Sequence, residues 1–362
     1  MSANTTRPGA DPFTERTPRV VAARRLTRRA EREKAGRFLA EGANAVGAAL
    51  SRGRGFVHEL FVTGRAEQAY PELVAAAREA GVRVSPVTDR AAVALSETVT
   101  PQGIVAVCDL VDRPLDGLLP TAAAAGPAAA GAPAAEAASP APVAPAPAAA
   151  PSPGAPSPGA PSPDPAEPAA EAASPAPADP APAAAAAGAA APAPGAAVAG
   201  PAAPAPAARL VAVLVDVADP GNAGTVIRVA DAAGADAVIL AGDSVDPHNG
   251  KCVRASAGSL FHLPLARARD VHAALEACRA AGLRLLGAHG HAETELDSLP
   301  LDVPVAWVFG NEAHGLSAEV IASVDEGVRI PIYGRAESLN LATAAAVCLY
   351  GSAMALRRSS GG

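Results

Sequence analysis

The stretch DPGNAGTVIRVADAAGA, residues 219–235, closely follows the apolar run LVAVLVD at residues 210–216. An apolar run, a glycine-rich turn and then helical periodicity predict a strand feeding a helix, the arrangement that many nucleotide-phosphate loops share. The spacing excludes the two familiar versions. A dinucleotide fingerprint needs G-x-G-x-x-G, and residues 221–224 supply only Gly-Asn-Ala-Gly. A P-loop needs Gly-Lys-Ser/Thr at its end, and nothing of that kind precedes or follows Arg228. Asp243, at the end of the next apolar run, keeps a ribose-binding acid of a Rossmann-type fold open as an alternative.

Working outward, the same alternation of strand and helix recurs on both sides. DAVILAG (236–242), LRLLGAHG (283–290), PVAWVFG (304–310) and EGVRIPIYG (326–334) predict strands, with the apolar LFHLPLARA (260–268) between the first two. DVHAALEACRAAG (270–282), SAEVIASV (317–324) and residues 340–356 predict helices, so residues 209–358 make one α/β domain with a mostly parallel sheet. Toward the amino end, shorter units at residues 58–64, 82–88 and 103–111 predict strands that alternate with helices at 71–81 and 90–98. These define a small α/β domain over residues 20–112. Its first part, ARRLTRRAEREKAGRFLAEGANAVGAAL at 23–50, reads as a basic helical stretch.

Between the two domains, residues 113–208 carry an Ala/Pro-rich linker that includes APSPGAPSPGAPSPD. Such a composition cannot bury enough apolar surface to offset ordering, so it predicts a disordered tether. A random coil of its length averages roughly 50 Å end to end, and polyproline extension approaches about 270 Å. On this reading the tether separates the domains without fixing their geometry. Residues 1–19 read as a loose arm.

The net charge of −7 conceals an asymmetry, because five acids and no base lie in residues 121–208 of the linker, whereas residues 1–65 hold 13 Lys or Arg against six Asp or Glu. A basic end of this kind suits a polyanion. Arg24, Arg25, Arg28, Arg29, Arg32 and Arg37 are the candidate RNA-binding face, contacting phosphates without reading sequence. Cys108, Cys252, Cys278 and Cys348 are widely spaced and read as buried thiols of a reducing compartment. The amino end lacks a signal-peptide core and no apolar run suits a membrane span, which predicts a cytoplasmic protein with no membrane partner. HGHAETE, residues 289–295, places His and Glu together but has no third nitrogen or sulfur ligand, so no metal is expected. Trp307 reads as core.

Two further loops join the opening one. VFGNEAHGLS (308–317) puts Gly310 at a strand end, where a ligand could approach the backbone, with Glu312 beside it. RIPIYGRAESLNLATAAA (329–346) sets Ser338 and Asn340 at the mouth of an Ala-rich helix. Ser317, Ser338 and Asn340 could equally be plain helix caps.

In order and spacing, DPGNAGTVIRVADAAGA, RASAGSLFHLPL, VFGNEAHGLS and IPIYGRAESLNLATAAAV resemble the SpoU, or TrmH-like, family of RNA ribose 2'-O-methyltransferases in the SPOUT superfamily. GRFLAEGANAV and TVTPQGIVAV give the first domain a less specific resemblance to the L30e-like substrate-binding domain of that family. The resemblance implies a SPOUT α/β knot, a deep trefoil that neither composition nor periodicity reveals. It also implies S-adenosylmethionine as cofactor, a homodimer through the knotted domain, and RNA as partner. Cofactor contacts would come from the backbones around Gly310, Ile330, Pro331 and Leu339. The catalytic surface would hold Asn222 and Arg228, with Glu312, Ser338 and Asn340 around it. Ribosomal RNA, 23S in particular, fits the two-domain arrangement. A tRNA 2'-O-methyltransferase, a ribosome-protecting resistance methylase and a non-catalytic RNA-binding or ribosome-assembly protein are the alternatives.

Overall fold

A computed structural model describes residues 11–119 and 208–360. The expected arm at residues 1–10 and the tether over residues 120–207 lie outside the described residues.

The first domain opens with α1 (Pro18–Arg25) and α2 (Arg29–Ala35), followed by β1 (Arg37–Glu41), α3 (Ala43–Ser51) and β2 (Val57–Thr63). It continues through α4 (Gly64–Ala69), α5 (Pro71–Glu79), β3 (Arg83–Val87), α6 (Asp89–Leu95) and β4 (Ile104–Asp109). The sheet order is β1-β4-β2-β3, with β2 and β3 parallel and the other pairs antiparallel. The helical reading of residues 23–50 is corrected at its middle. Gly36 takes the left-handed conformation (φ 64°) and ends α2, and Phe38, Leu39 and Ala40 are buried in a strand paired with β4. Residues 11–19 are not wholly a loose arm either. The Phe13 amide donates to Pro86 O at 2.8 Å and Phe13 O accepts from the Thr88 amide at 2.9 Å, which extends the β3 edge.

The second domain contains β5 (Leu210–Val215), α7 (Pro220–Ala233), β6 (Ala237–Ala241), α8 (Gly250–Ala255), β7 (Leu265–Ala268) and α9 (Val271–Ala280). Then come β8 (Arg284–Ala288), β9 (Thr294–Glu295), β10 (Val305–Phe309), α10 (Ala318–Ser323), β11 (Glu326–Arg329) and α11 (Leu341–Ser360). Seven strands in the order β7-β6-β5-β10-β8-β11-β9 pair entirely in parallel. Parallel sheets are covered on both faces, which is why β5 reads as an unbroken apolar run. Leu210, Ala212 and Leu214 point to the side of α7, α8 and α11, and Val211, Val213 and Val215 to the side of α9 and α10.

The opening stretch owes its form to both ends of α7. The Asp219 carboxylate caps the helix by accepting from the Asn222 amide, Pro220 occupies the first turn, and Gly234 closes it at φ 75°. Gly224 serves packing rather than RNA approach. A Cβ there would lie 2.4 Å from Cys252 O and 2.7 Å from Ala255 Cβ, so α7 and α8 could not meet as they do.

The two domains are not loosely tethered. One hydrophobic core runs from Phe38, Val46 and Leu60 of the first domain to Cys252, Leu260 and Phe261 of the second. Phe38 stacks on Phe261 at 5.9 Å between ring centroids, while Arg52 donates to Phe261 O at 3.1 Å. At the same seam Arg32 is 3% exposed and bonds Asp246 Oδ2 through Nε (2.9 Å) and Nη2 (2.7 Å). Its Nη1 donates to the carbonyls of Leu26 (3.0 Å) and Thr27 (2.8 Å). Arg267 joins in, bonding Asp112 at 2.8 Å and Glu33 at 3.4 Å.

The expected linker also starts too early. The Arg113 amide donates to Leu265 O at 2.8 Å beside β7, and Leu118 and Leu119 are buried in the core that also holds Ala208, Val211 and Ala266. Apolar side chains in residues 113–119 therefore lie under the second domain, outside the Ala/Pro composition that motivated the tether.

Candidate active site

In an open parallel sheet, ligands gather at the carboxyl ends of strands where the strand order reverses. Here β5 is the first strand of its domain and has neighbours on both sides, β6 and β10. Because Phe309 of β10 is paired with Leu214 of β5, the loops leaving these two strands emerge side by side. The first is residues 216–222 and the second is residues 310–317.

Glu312 stitches them together. Its Oε2 accepts from the Ala218 amide and its Oε1 from the Asp219 amide and Asn222 Nδ2, each at 3.0 Å. Asn222 Oδ1 in turn accepts from Asn340 Nδ2 at 3.1 Å, drawing in the third loop. Asn340 meanwhile caps α11, its Oδ1 accepting from the Ala342 amide at 2.9 Å. Three motifs thus form one chain of side chains, Glu312–Asn222–Asn340, whose two links span 90 and 118 residues. Burial pushes the Glu312 carboxyl up, but the bond from Asn222 and those from the loop amides outweigh it and hold it below the usual glutamate range.

Four more contacts, unmarked in the sequence, brace these loops. Asn311 Nδ2 donates to Asp216 O at 2.7 Å, and Asp216 Oδ1 accepts from the Asp243 amide at 2.7 Å. Asp216 has φ 52°, a conformation Asp tolerates at turns and functional loops. Lys251 of α8 bonds the capping Asp219 at 2.6 Å, and this contact leads the forces that hold Asp219 low. The fourth, the Asn311–Gly315 backbone pair at 3.1 and 2.8 Å, closes the second loop tightly. The turn itself requires glycine at 310, because a Cβ would lie 2.2 Å from the Gly315 carbonyl carbon. Ser317 caps α10, accepting from the Val320 amide at 3.2 Å.

The other candidates fall in three groups. Arg228 is exposed on α7, two turns beyond Gly221 and so on its face, and has no hydrogen bond or ion pair among the described residues. Ser338 is exposed and likewise unbonded among them, and Leu339 is 37% exposed. Ile330 and Pro331 line a groove of about 870 Å³ with Leu296, Leu299, Tyr333 and Tyr350, whereas Gly310 and Leu339 are not in its wall. Of the six candidate RNA-binding arginines, Arg32 is removed by its burial against Asp246. Arg24, Arg25 and Arg28 are exposed, Arg29 pairs with Glu33 at 2.9 Å and Arg37 lies 3.9 Å from Asp109. His289 and His291 meet ring to ring at 5.6 Å, and Glu295 pairs with Arg329. Trp307 is fully buried and donates to Ser352 Oγ at 2.9 Å.

Glu312→Gln tests the stitch directly. An amide presents one donor where the carboxylate presents only acceptors, so it faces one loop N–H with another. Hydrogen bonds to a charged group contribute about 1.5–3 kcal/mol each, so amide exchange at Ala218 and Asp219 is expected to quicken about tenfold or more. The folded-state pKa lies below the unfolded one, so the wild-type stitch is complete above the ordinary glutamate range and is lost as pH falls through the folded value. Across neutral pH the wild type should therefore show constant protection. Equal exchange in the two proteins would remove Glu312 from this role.

Comparison with known proteins gives two family matches, the SpoU rRNA Methylase family over residues 209–350 and the MRM3-like substrate binding domain over residues 17–106. The chain is 38% identical over 111 residues to the Bacillus subtilis (strain 168) 23S rRNA (guanosine(2553)-2'-O)-methyltransferase RlmP, covering 31% of this chain and 44% of that one. It is 39% identical over 116 residues to the Streptomyces viridochromogenes 23S rRNA (uridine(2479)-2'-O)-methyltransferase, covering 31% and 40%. The chain thus spans under half the length of these curated relatives. Among solved structures, an RNA 2'-O ribose methyltransferase matches with TM-score 0.62 at 25% identity, over 96% of this chain and all of that one. The fold of the SpoU methyltransferase AviRb from Streptomyces viridochromogenes, in complex with AdoMet, matches with TM-score 0.61 at 24% identity, over 96% and 100%.

Proposed function

We propose that the chain methylates a ribose 2'-hydroxyl of RNA, most specifically of 23S ribosomal RNA, because residues 209–350 match the SpoU rRNA Methylase family and residues 17–106 the MRM3-like substrate binding domain. The observation that carries this is the Glu312–Asn222–Asn340 chain, which unites three loops at the start of the helix that carries Arg228, exposed and without a partner among the described residues. S-adenosylmethionine, when bound, supplies a methyl group on a positively charged sulfur. The groove walled by Ile330 and Pro331 fits such a cofactor, being concave, mainly apolar and large enough, with Asp297 and Asp302 at hand for polar groups.

The protein's own contribution is positional. Arg228, with a guanidinium pKa above about 12, is no base. It holds the target hydroxyl or its phosphate and stabilises the negative charge that develops on the 2'-oxygen. Glu312 and Asn340 fix Asn222 and the start of α7, so that Arg228 projects from a rigid helix. Ser338 and Leu339 lie exposed on the loop that runs from the groove residues Ile330 and Pro331 to Asn340. Arg24, Arg25 and Arg28 supply phosphate contacts from the first domain.

The chain works as a homodimer in the cytoplasm. Val347, Tyr350 and Met354 recur along one exposed stripe of α11, next to exposed Ile332 and Tyr333, and a stripe of that kind suits a second copy. No helix among the described residues is long and apolar enough to cross a membrane. All four cysteines are free and buried.

Incubation with radiolabelled S-adenosylmethionine and total RNA from a strain lacking the gene tests the reading. Label is expected in a single 23S ribose, with binding that weakens steeply as salt rises and a particle that sediments as a dimer. Absence of label from unmodified RNA would reject the enzyme reading.

A further inference from the structure

A cavity of about 340 Å³ opens where the two domains meet, walled by Gly42, Asn44, Tyr70, Thr100, Gln102 and Arg254. Its floor is charged but satisfied. Buried Glu41 takes the Ser96 hydroxyl (2.5 Å) and the Thr98 hydroxyl (3.1 Å) on Oε1, and Arg254 Nη1 (3.1 Å) on Oε2. Positive charge inside is thereby offset, with Glu97 adding a further carboxylate close to Arg254 and Gly250. Phosphate sites need cations that are not already paired, so a phosphate is a poor occupant.

The remaining polar groups suit a different ligand. The Gln102 Oε1 accepts from the Ala43 amide at 3.0 Å, which fixes the side-chain amide and leaves Nε2 without a partner among the described residues. Gly42, at φ 95°, is the seat for it, since even a Cβ would come within 3.2 Å of Gln102 Oε1. The Asn44 amide and the hydroxyls of Thr100 and Tyr70 also lack hydrogen bonds among the described residues, and Tyr70 offers a half-buried ring. At the rim, Val99 is fully exposed on the loop between Thr98 and Thr100. Amide donors and acceptors, an aromatic face and a bare apolar rim are what an unpaired nucleobase of RNA requires.

We propose that this cavity receives one unpaired base of the RNA substrate, read by the Gln102 and Asn44 amides. The proposal rests on the RNA reading above and adds a ruler to it. Arg254 stands on α8, whose Lys251 also holds Asp219, the cap of α7 that carries Arg228. The base site and the reacting ribose are thus joined through two packed helices, and the span between them selects which ribose is presented.

The test uses the full chain and a 23S rRNA transcript. Gln102→Met keeps the side-chain length without adding charge and removes the amide, and Asn44→Ala removes a side chain that bonds nothing else among the described residues. Each is expected to weaken transcript binding about tenfold, the usual size of a base contact. The loss should fall on KM rather than kcat, with S-adenosylmethionine affinity and the salt slope unchanged. A slope reduced by about one would mean a phosphate contact and overturn the proposal, as would wild-type affinity in both variants. Should Gln102→Met fold poorly, Asn44→Ala and Thr100→Ala decide. If the wild type itself neither binds nor methylates RNA, the broader reading falls with it; normal wild-type methylation with unaffected variants sinks the base site alone.

Discussion

Arg228→Ala is expected to lower kcat for ribose methylation on the order of a thousandfold, the upper range for removing one donor that stabilises a developing oxyanion. Binding of S-adenosylmethionine should stay unchanged, since the side chain is exposed and outside the groove walled by Ile330 and Pro331. The fold should hold as well. Arg228 has no partner among the described residues, and alanine is a better helix former. Arg228→Lys retains the charge but not the planar fork, so it should recover only part of the rate. Single-turnover transfer and calorimetric cofactor binding separate these effects. Turnover near wild type in Arg228→Ala would mean that the reacting ribose lies elsewhere.

The second large effect is on stability. Arg32→Ala leaves Asp246, 4% exposed, without the guanidinium that bonds it twice, and removes the donors to Leu26 and Thr27 carbonyls. Breaking a buried ion pair from one side costs about 3–5 kcal/mol. Burial pushes the Asp246 carboxyl up, but bonds from His248 and Arg32 hold it well below the usual aspartate range. That depressed folded pKa places the wild-type contribution above the ordinary aspartate range and removes it only in strong acid. In Arg32→Ala the carboxylate can escape by taking a proton, so the deficit measured by urea unfolding should be largest at pH 7 and smaller near pH 4.5. The double variant Arg32→Met/Asp246→Leu should be less harmful than Arg32→Ala alone. A deficit below about 1 kcal/mol at pH 7, the size of an exposed pair, would show that the seam does not depend on this contact.

These two arginines show what sequence can and cannot reveal. The alternation of strand and helix is written in period and composition, and the parallel strands of the second domain announce themselves as apolar runs. Asn222, Glu312 and Asn340 were recognisable from motif order, and hydrogen bonds do bring them together. Arg32 looks the same as Arg24 or Arg28 in a local window, because its burial is decided by Asp246, 214 residues away. The strand β1 is hidden for a related reason. Its residues fit a helical face until β4 pairs with them from the other end of the domain. Gly310 reads in sequence as a place for a ligand, and its need for glycine is also set by Gly315, five residues on, through a turn that periodicity does not describe. Gln102 and Asn44 carry no signal in residue type or spacing; only the shared cavity relates them.

Leu118, Leu119 and Ala208 enter one core on one face of the second domain. Residues 120–207 therefore form a parenthesis in the sentence of the fold, opened and closed in the same place. The domains are held by their own seam, so the length of the parenthesis is not needed to span them. Closing a loop twice as long adds only about 0.6 kcal/mol. The catalytic architecture is thus held together by residues 11–119 and 208–360 themselves, through the seam that Phe38, Arg32 and their partners close.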